Sequence, residues 1–157
     1  MFATATRTAL VVAALLSITA GTAMAAGASG TVQLKGTVAL SCTVAVTDLN
    51  QTLNLTGGES NKQVGTVVEN CNSGTGYNIT VSSSNGGTLT APGNGTQPIN
   101  YTASYDGQSG SLSGSLVVAR QNAQFNKSAA LSVTIPANAQ AIAGSYSDTV
   151  TITIASK

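Results

Sequence analysis

An all-β sandwich is the fold this chain predicts, and three observations carry the prediction. Apolar and polar residues alternate with a period of two over 28–46, 77–81, 131–135 and 146–154, turn residues separate these and other strand-like runs, and helix signals are nearly absent. Thr, Val, Ser, Asn and Gly dominate the composition, which suits half-buried strands joined by turns.

The opening segment stands apart from that pattern. Residues 1–25 have one positive charge at Arg7, an apolar run ALVVAALLSITA over 9–20, and a small-residue end at Ala23, Met24 and Ala25. This is the layout of a secretory signal peptide, with cleavage expected after Ala25 or Ala26. Its apolar run is shorter than the roughly 20 residues a transmembrane helix needs. No other stretch of the chain is long and apolar enough to span a bilayer as a helix.

Beyond the leader the chain has about 130 residues, the size of one domain. Without Arg7 it carries five cations (Lys35, Lys62, Arg120, Lys127, Lys157) and five acids (Asp48, Glu59, Glu69, Asp106, Asp148), so its net charge is near zero. Charged residues make up only 7% of the chain, which leaves no basic stripe for nucleic acid or anionic lipid. The chain has two cysteines, Cys42 and Cys71. In an exported protein two cysteines predict one disulfide, here closing a loop of about 30 residues and stabilising the fold by on the order of 3 kcal/mol.

The longest alternating run places Ala28, Gly30, Val32, Leu34, Gly36, Val38, Leu40, Cys42, Val44 and Val46 on one face, against mostly polar neighbours. It is too long for one ordinary strand of five or six residues. It therefore divides near Gly36 into an arm, 26–36, and a first strand, 38–46. Further strands are expected over 51–55, 62–69, 77–83, 99–105, 115–120, 129–135 and 146–154, the last of them central in its sheet. Breakers lie at Gly57-Gly58, Asn85-Gly86-Gly87, the Pro92 to Gly95 stretch, Asp106-Gly107, Pro136 and Gly144. The Ser/Gly stretch GQSGSLSGS over 107–115 fits a loop or a polar edge strand equally well.

Catalytic chemistry finds few residues here. With no histidine, histidine-based triads and histidine-containing metal sites are excluded. The five acids form no sequence-local pair, and no phosphate-binding loop, CxxC or GxSxG occurs. Asp106-Gly107 reads as a turn, because the acid-rich spacing of a calcium loop is missing. No cofactor is called for and an enzyme is the least favoured class. Function is expected to lie in shape, edges and assembly.

Three stretches resemble a known family, the spore coat protein U type domain shared with subunits of archaic chaperone–usher pili. They are the arm running into the first cysteine (GTVQLKGTVALSCTV, 30–44), the second cysteine ahead of a strand (NCNSGTGYNITVSSSNGG, 70–87), and the closing AGSYSDTVTITI, 143–154. The first also resembles the N-terminal extension of type 1 fimbrial subunits. This chain departs from that branch by ending ITIASK, without an aromatic residue near its end.

The resemblance implies an incomplete immunoglobulin-like sandwich, over 37–157, that lacks its last strand. It also implies that a periplasmic chaperone lends the missing strand, and that at an outer-membrane usher the arm of the next subunit replaces it. Ala28, Gly30, Val32 and Leu34 would then point into a neighbour's groove, while Gln33 and Lys35 stay wet. Tyr146, Val150, Ile152 and Ile154 would border the groove. The implied partners are copies of the same chain, chaperone and usher, and the implied location is a cell-surface pilus serving adhesion or biofilm growth. Two other readings are a self-contained secreted sandwich that binds a carbohydrate or surface, and a spore-coat layer protein. Four tyrosines and no tryptophan weaken the carbohydrate reading, because sugar sites lean on aromatic faces.

Overall fold

The computed structural model describes residues 27–157, so the leader expected over 1–25 lies outside the described residues. The chain divides into two units, Met1–Gly36 and Thr37–Lys157. In the first, residues 27–36 form no strand and every one of them is exposed. Among the described residues no helix is long and apolar enough to cross a membrane.

The second unit is built of antiparallel strands. They are β1 (Cys42–Asp48), β2 (Glu59–Cys71), β3 (Tyr77–Ser83), β4 (Thr88–Leu89), β5 (Ile99–Asn100), β6 (Thr102–Tyr105), β7 (Gln108–Ser111), β8 (Ser115–Arg120), β9 (Gln124–Ile135) and β10 (Val150–Ser156). One sheet has the order β1-β2-β9-β6-β7 and a second the order β10-β3-β8, with β4 and β5 pairing separately. The two larger sheets share one core. Val67 on β2, Tyr105 on β6, and Leu131, Val133 and Ile135 on β9 meet Tyr77, Ile79 and Val81 on β3, Val118 on β8 and Ile152 on β10. The expected all-β class and the Cys42–Cys71 disulfide are both present, the latter joining residues that face each other across β1 and β2.

Periodicity located β3 and β8 to the residue. Elsewhere hydrogen-bond partners moved the boundaries. The first strand begins at Cys42 and not at residue 38: beyond the Cys42–Cys71 pair one backbone bond, from Asn72 N–H to the Ser41 carbonyl at 3.1 Å, continues the ladder before it ends. An asparagine side chain takes over there: Asn72 Nδ2 donates to the Ala39 carbonyl at 2.8 Å, and Ser41 N–H donates to Asn72 Oδ1 at 2.8 Å. Val38 and Leu40 are left exposed as a result.

No strand forms over 51–55. Asn50 turns the chain with φ of 48°, and Leu53 and Leu55 reach the core from a loop. The expected 99–105 strand is broken at Tyr101, whose N–H donates to the Gly87 carbonyl, so β5 and β6 serve different sheets. The undecided Ser/Gly stretch contains a strand, β7, paired to β6 through a two-residue turn. Asp106 and Gly107 have φ of 49° and 84°, the double positive φ that a type I′ hairpin requires.

The C-terminal strand needs two corrections. It starts at Val150, leaving Tyr146 in the preceding connection with its hydroxyl donating to the Ile142 carbonyl. It is also an edge strand, paired only with β3, where a central position was expected. Among the described residues, its outer backbone groups and those of β1 are therefore both unpaired edges.

Candidate functional site: a cleft between two open edges

Alternation along β1 turns Cys42, Val44, Val46 and Asp48 toward the second sheet, and alternation along β10 turns Val150, Ile152 and Ile154 toward the first. The Cα atoms of the two strands come within 8 Å, yet no ladder joins them. From Val46 onward they enclose an open cleft of about 480 Å³. Its floor is Leu131, Val133 and Ile135 of β9; Val46, Val64 and Leu53 form one wall, and Val150 and Ile152 the other. Val46 remains 53% exposed although it faces inward. An inward-facing valine left that open marks apolar surface that the chain itself does not cover.

The groove-lining expectation meets this geometry unevenly. Val150 and Ile152 line the cleft, Ile154 packs on the core beyond it, and Tyr146 takes no part in the lining. Val32 and Leu34 of the arm are 86% and 92% exposed, and Ala28 and Gly30 are exposed as well.

Two polar networks missed by the sequence reading hold the walls. At the cleft, Asp148 precedes β10 in the inward register of Val150 and Ile152. Its Oδ2 accepts from Ser83 Oγ at 2.5 Å and Tyr101 Oη at 2.6 Å, and its Oδ1 from the N–H groups of Thr149 and Asn85. One carboxylate thereby fixes the start of β10, the end of β3 and the Tyr101 crossing. Burial and the bond to Asp148 push the Tyr101 hydroxyl well above the usual tyrosine range, so it stays a donor.

Nearer the disulfide, Glu69 of β2 is 0% exposed. Arg120 of β8 grips it with Nε at 2.9 Å and Nη2 at 2.6 Å, while the hydroxyls of Tyr77 and Tyr105 donate at 2.6 and 2.8 Å. Arg120 Nη1 lies 2.9 Å from Asp106, which also receives Lys127 at 3.0 Å. The arrangement joins five strands of both sheets, β2, β6 and β9 of one and β3 and β8 of the other, and its charges alternate from Glu69 through Arg120 and Asp106 to Lys127. A signal for each acid was present in the sequence. Glu69 alternates with Val67 and Cys71, and Asp148 with Val150 and Ile152, so an unbroken period of two places each acid inward, where it needs donors.

Acid is expected to loosen both networks. Burial raises the carboxyls of Glu69 and Asp148, but bonds from Arg120, Tyr77 and Tyr105 to the first, and from Ser83 and Tyr101 to the second, outweigh it. Both therefore lie below their ordinary values of 4.5 and 3.8. Because the folded chain holds these protons less tightly than the unfolded one, their contribution is complete above those values and is lost as pH falls through the folded pKa. Melting temperature should stay level from about pH 7 to pH 5 and fall below about pH 4. A melting temperature unchanged down to about pH 2 would contradict this.

No family model matches the chain, and no curated protein matches it. Among solved structures, the crystal structure of the E. coli Hda pilus minor tip subunit, HdaB, aligns at 13% identity with a TM-score of 0.40, covering 71% of this chain and 79% of that one. Similarity that loose leaves function to be read from the cleft and the arm.

Proposed function

We propose that this chain is a structural subunit of a surface fibre of the chaperone–usher kind, an incomplete immunoglobulin-like sandwich that polymerises by donor-strand exchange. The observation that carries the reading is the apolar cleft between the unpaired edges of β1 and β10, in a chain whose arm exposes Val32 and Leu34 at alternate positions. An extended segment laid in the cleft would satisfy edge backbone groups and cover Val46, Leu131 and Val133. Ala28, Gly30, Val32 and Leu34 of one copy are the side chains assigned to the next copy's cleft, with Val150 and Ile152 as the receiving wall. Contacts of this kind are head-to-tail and do not close, so they build a fibre.

On this reading an unfilled subunit is an aggregation hazard, with an open edge on each sheet. A periplasmic chaperone and an outer-membrane usher are the partners that would keep it soluble and direct its assembly at the cell surface. The resemblance of the arm, the cysteine spacing and the closing AGSYSDTVTITI to the spore coat protein U type domain supports the archaic branch.

The test is thermal unfolding of a truncated chain beginning at Gly36, with and without a peptide covering 26–35. Burying Val32 and Leu34 is worth roughly 3 to 6 kcal/mol together, which corresponds to a rise in Tm on the order of 10 °C. The rise should vanish when both residues are changed to Asp. A truncated chain as stable as the full one and indifferent to the peptide is a self-sufficient sandwich, and the fibre reading falls.

A further inference from the structure

We propose that Lys35 in the arm of one copy pairs with Asp48 on the cleft rim of the next copy, and that this pair sets the register of the inserted arm. The proposal rests on the polymer reading above and adds to it the residue that decides where the arm stops.

Hydrophobic alternation alone leaves register open. Sliding the arm by one residue would turn its apolar side chains outward, which the cleft forbids. A two-residue slide does not have that penalty. Ala28, Gly30, Val32, Leu34, Gly36, Val38 and Leu40 all share one face, so the slid arm still presents apolar or small residues to the floor. Something outside the alternation must distinguish positions about 7 Å apart.

Charge provides the distinction. Lys35 is the single charged residue between positions 27 and 41. The charged residues lining the cleft are Asp48 and Asp148, both acidic. Asp148 is already committed to Ser83, Tyr101 and two backbone N–H groups. Asp48 ends β1, is exposed, and accepts one hydrogen bond among the described residues, from the Asn50 N–H at 2.8 Å. It is the carboxylate with capacity for a newcomer. A lysine next to Gly36 has the reach to lay its stem over the rim while Leu34 stays below. At low salt such a rim pair acts mainly on the rate of association, and it is screened within about 10 Å at 0.1 M salt.

The experiment follows association of a fluorescent peptide covering 27–41 with the dilute, purified full chain. At about 0.02 M salt, where screening is weak, the Lys35→Glu peptide should bind about tenfold more slowly than the natural one. The difference should collapse near 0.5 M salt. Asp48→Asn, which keeps the acceptor for Asn50, should slow the natural peptide, and Asp48→Lys should restore the Lys35→Glu peptide. A peptide with Gln33→Lys and Lys35→Gln has the same net charge two residues away and should bind at the natural rate but two residues out of register, which energy transfer from the peptide's label to an acceptor fixed on the cleft rim reads as a displacement of about 7 Å. If it binds in the same register as the natural peptide, attraction is general and the register claim is overturned. If the natural and Lys35→Glu peptides bind alike at low salt, the pair is overturned while the polymer reading stands. If no peptide binds, the polymer reading itself has failed.

Discussion

Replacing Arg120 by Ala is expected to cost about 3–5 kcal/mol, because it leaves a carboxylate buried without its cation. Glu69 has no exposed surface, and Tyr77 and Tyr105 alone would remain to hold its charge. Domains of this size have roughly 5–15 kcal/mol of stability in all, so the change removes a large share. Heating should show a Tm lowered by on the order of 10–20 °C. The companion variant is informative: Glu69→Gln in the Arg120→Ala background removes the stranded charge and should recover part of the loss. A double-mutant cycle by urea unfolding measures that coupling. A single Arg120→Ala change costing under about 1 kcal/mol would mean that solvent or rearrangement reaches Glu69 and that the clamp contributes little.

Removing the Cys42–Cys71 bridge is the second large effect. The two residues are separated by 29 positions, and a loop of that size corresponds to about 3 kcal/mol in the chain-entropy model. The location of the bridge gives the loss a direction. Among the described residues strand β1 pairs with β2 alone, and the disulfide closes the pair at its first residue. Double replacement with Ala should therefore release β1 ahead of β2 and β9. Hydrogen exchange is expected to show protection lost over Thr43 to Asp48 while Val67 and Leu131 stay protected. Uniform loss across the sandwich would indicate that the bridge stabilises the whole fold and not its edge.

The sequence was most legible where burial alone decides structure. Tyr77, Ile79 and Val81 alternate cleanly, and β3 spans the expected residues. It was least legible where pairing partners decide. Nothing in VALSC distinguishes Val38 and Leu40 from Val44, since all share one face; only the end of β2 at Cys71 excludes the first two from the strand. Tyr146 failed for a related reason, because the chain before β10 is claimed by the bonds of Asp148 and by Ser147 bridging to Thr90. The site was legible in outline: Val150 and Ile152 follow from alternation. The opposite wall at Val46 and the floor on β9 depend on sheet order, which no local pattern encodes.

The bridge also bears on how a fibre of such subunits would carry tension. A pull arriving along the arm enters the sandwich at Ala39 and Ser41, both held by Asn72, and meets Cys42 one residue later. There the covalent link passes the load to Cys71 at the end of β2, a strand paired on both sides, by β1 and by β9. Force is thus delivered to the interior of the five-stranded sheet and not spent peeling β1 from its edge one hydrogen bond at a time. On the proposed fibre reading, load reaching a subunit through its arm would therefore pass into β2 before it could strip β1 from the sheet.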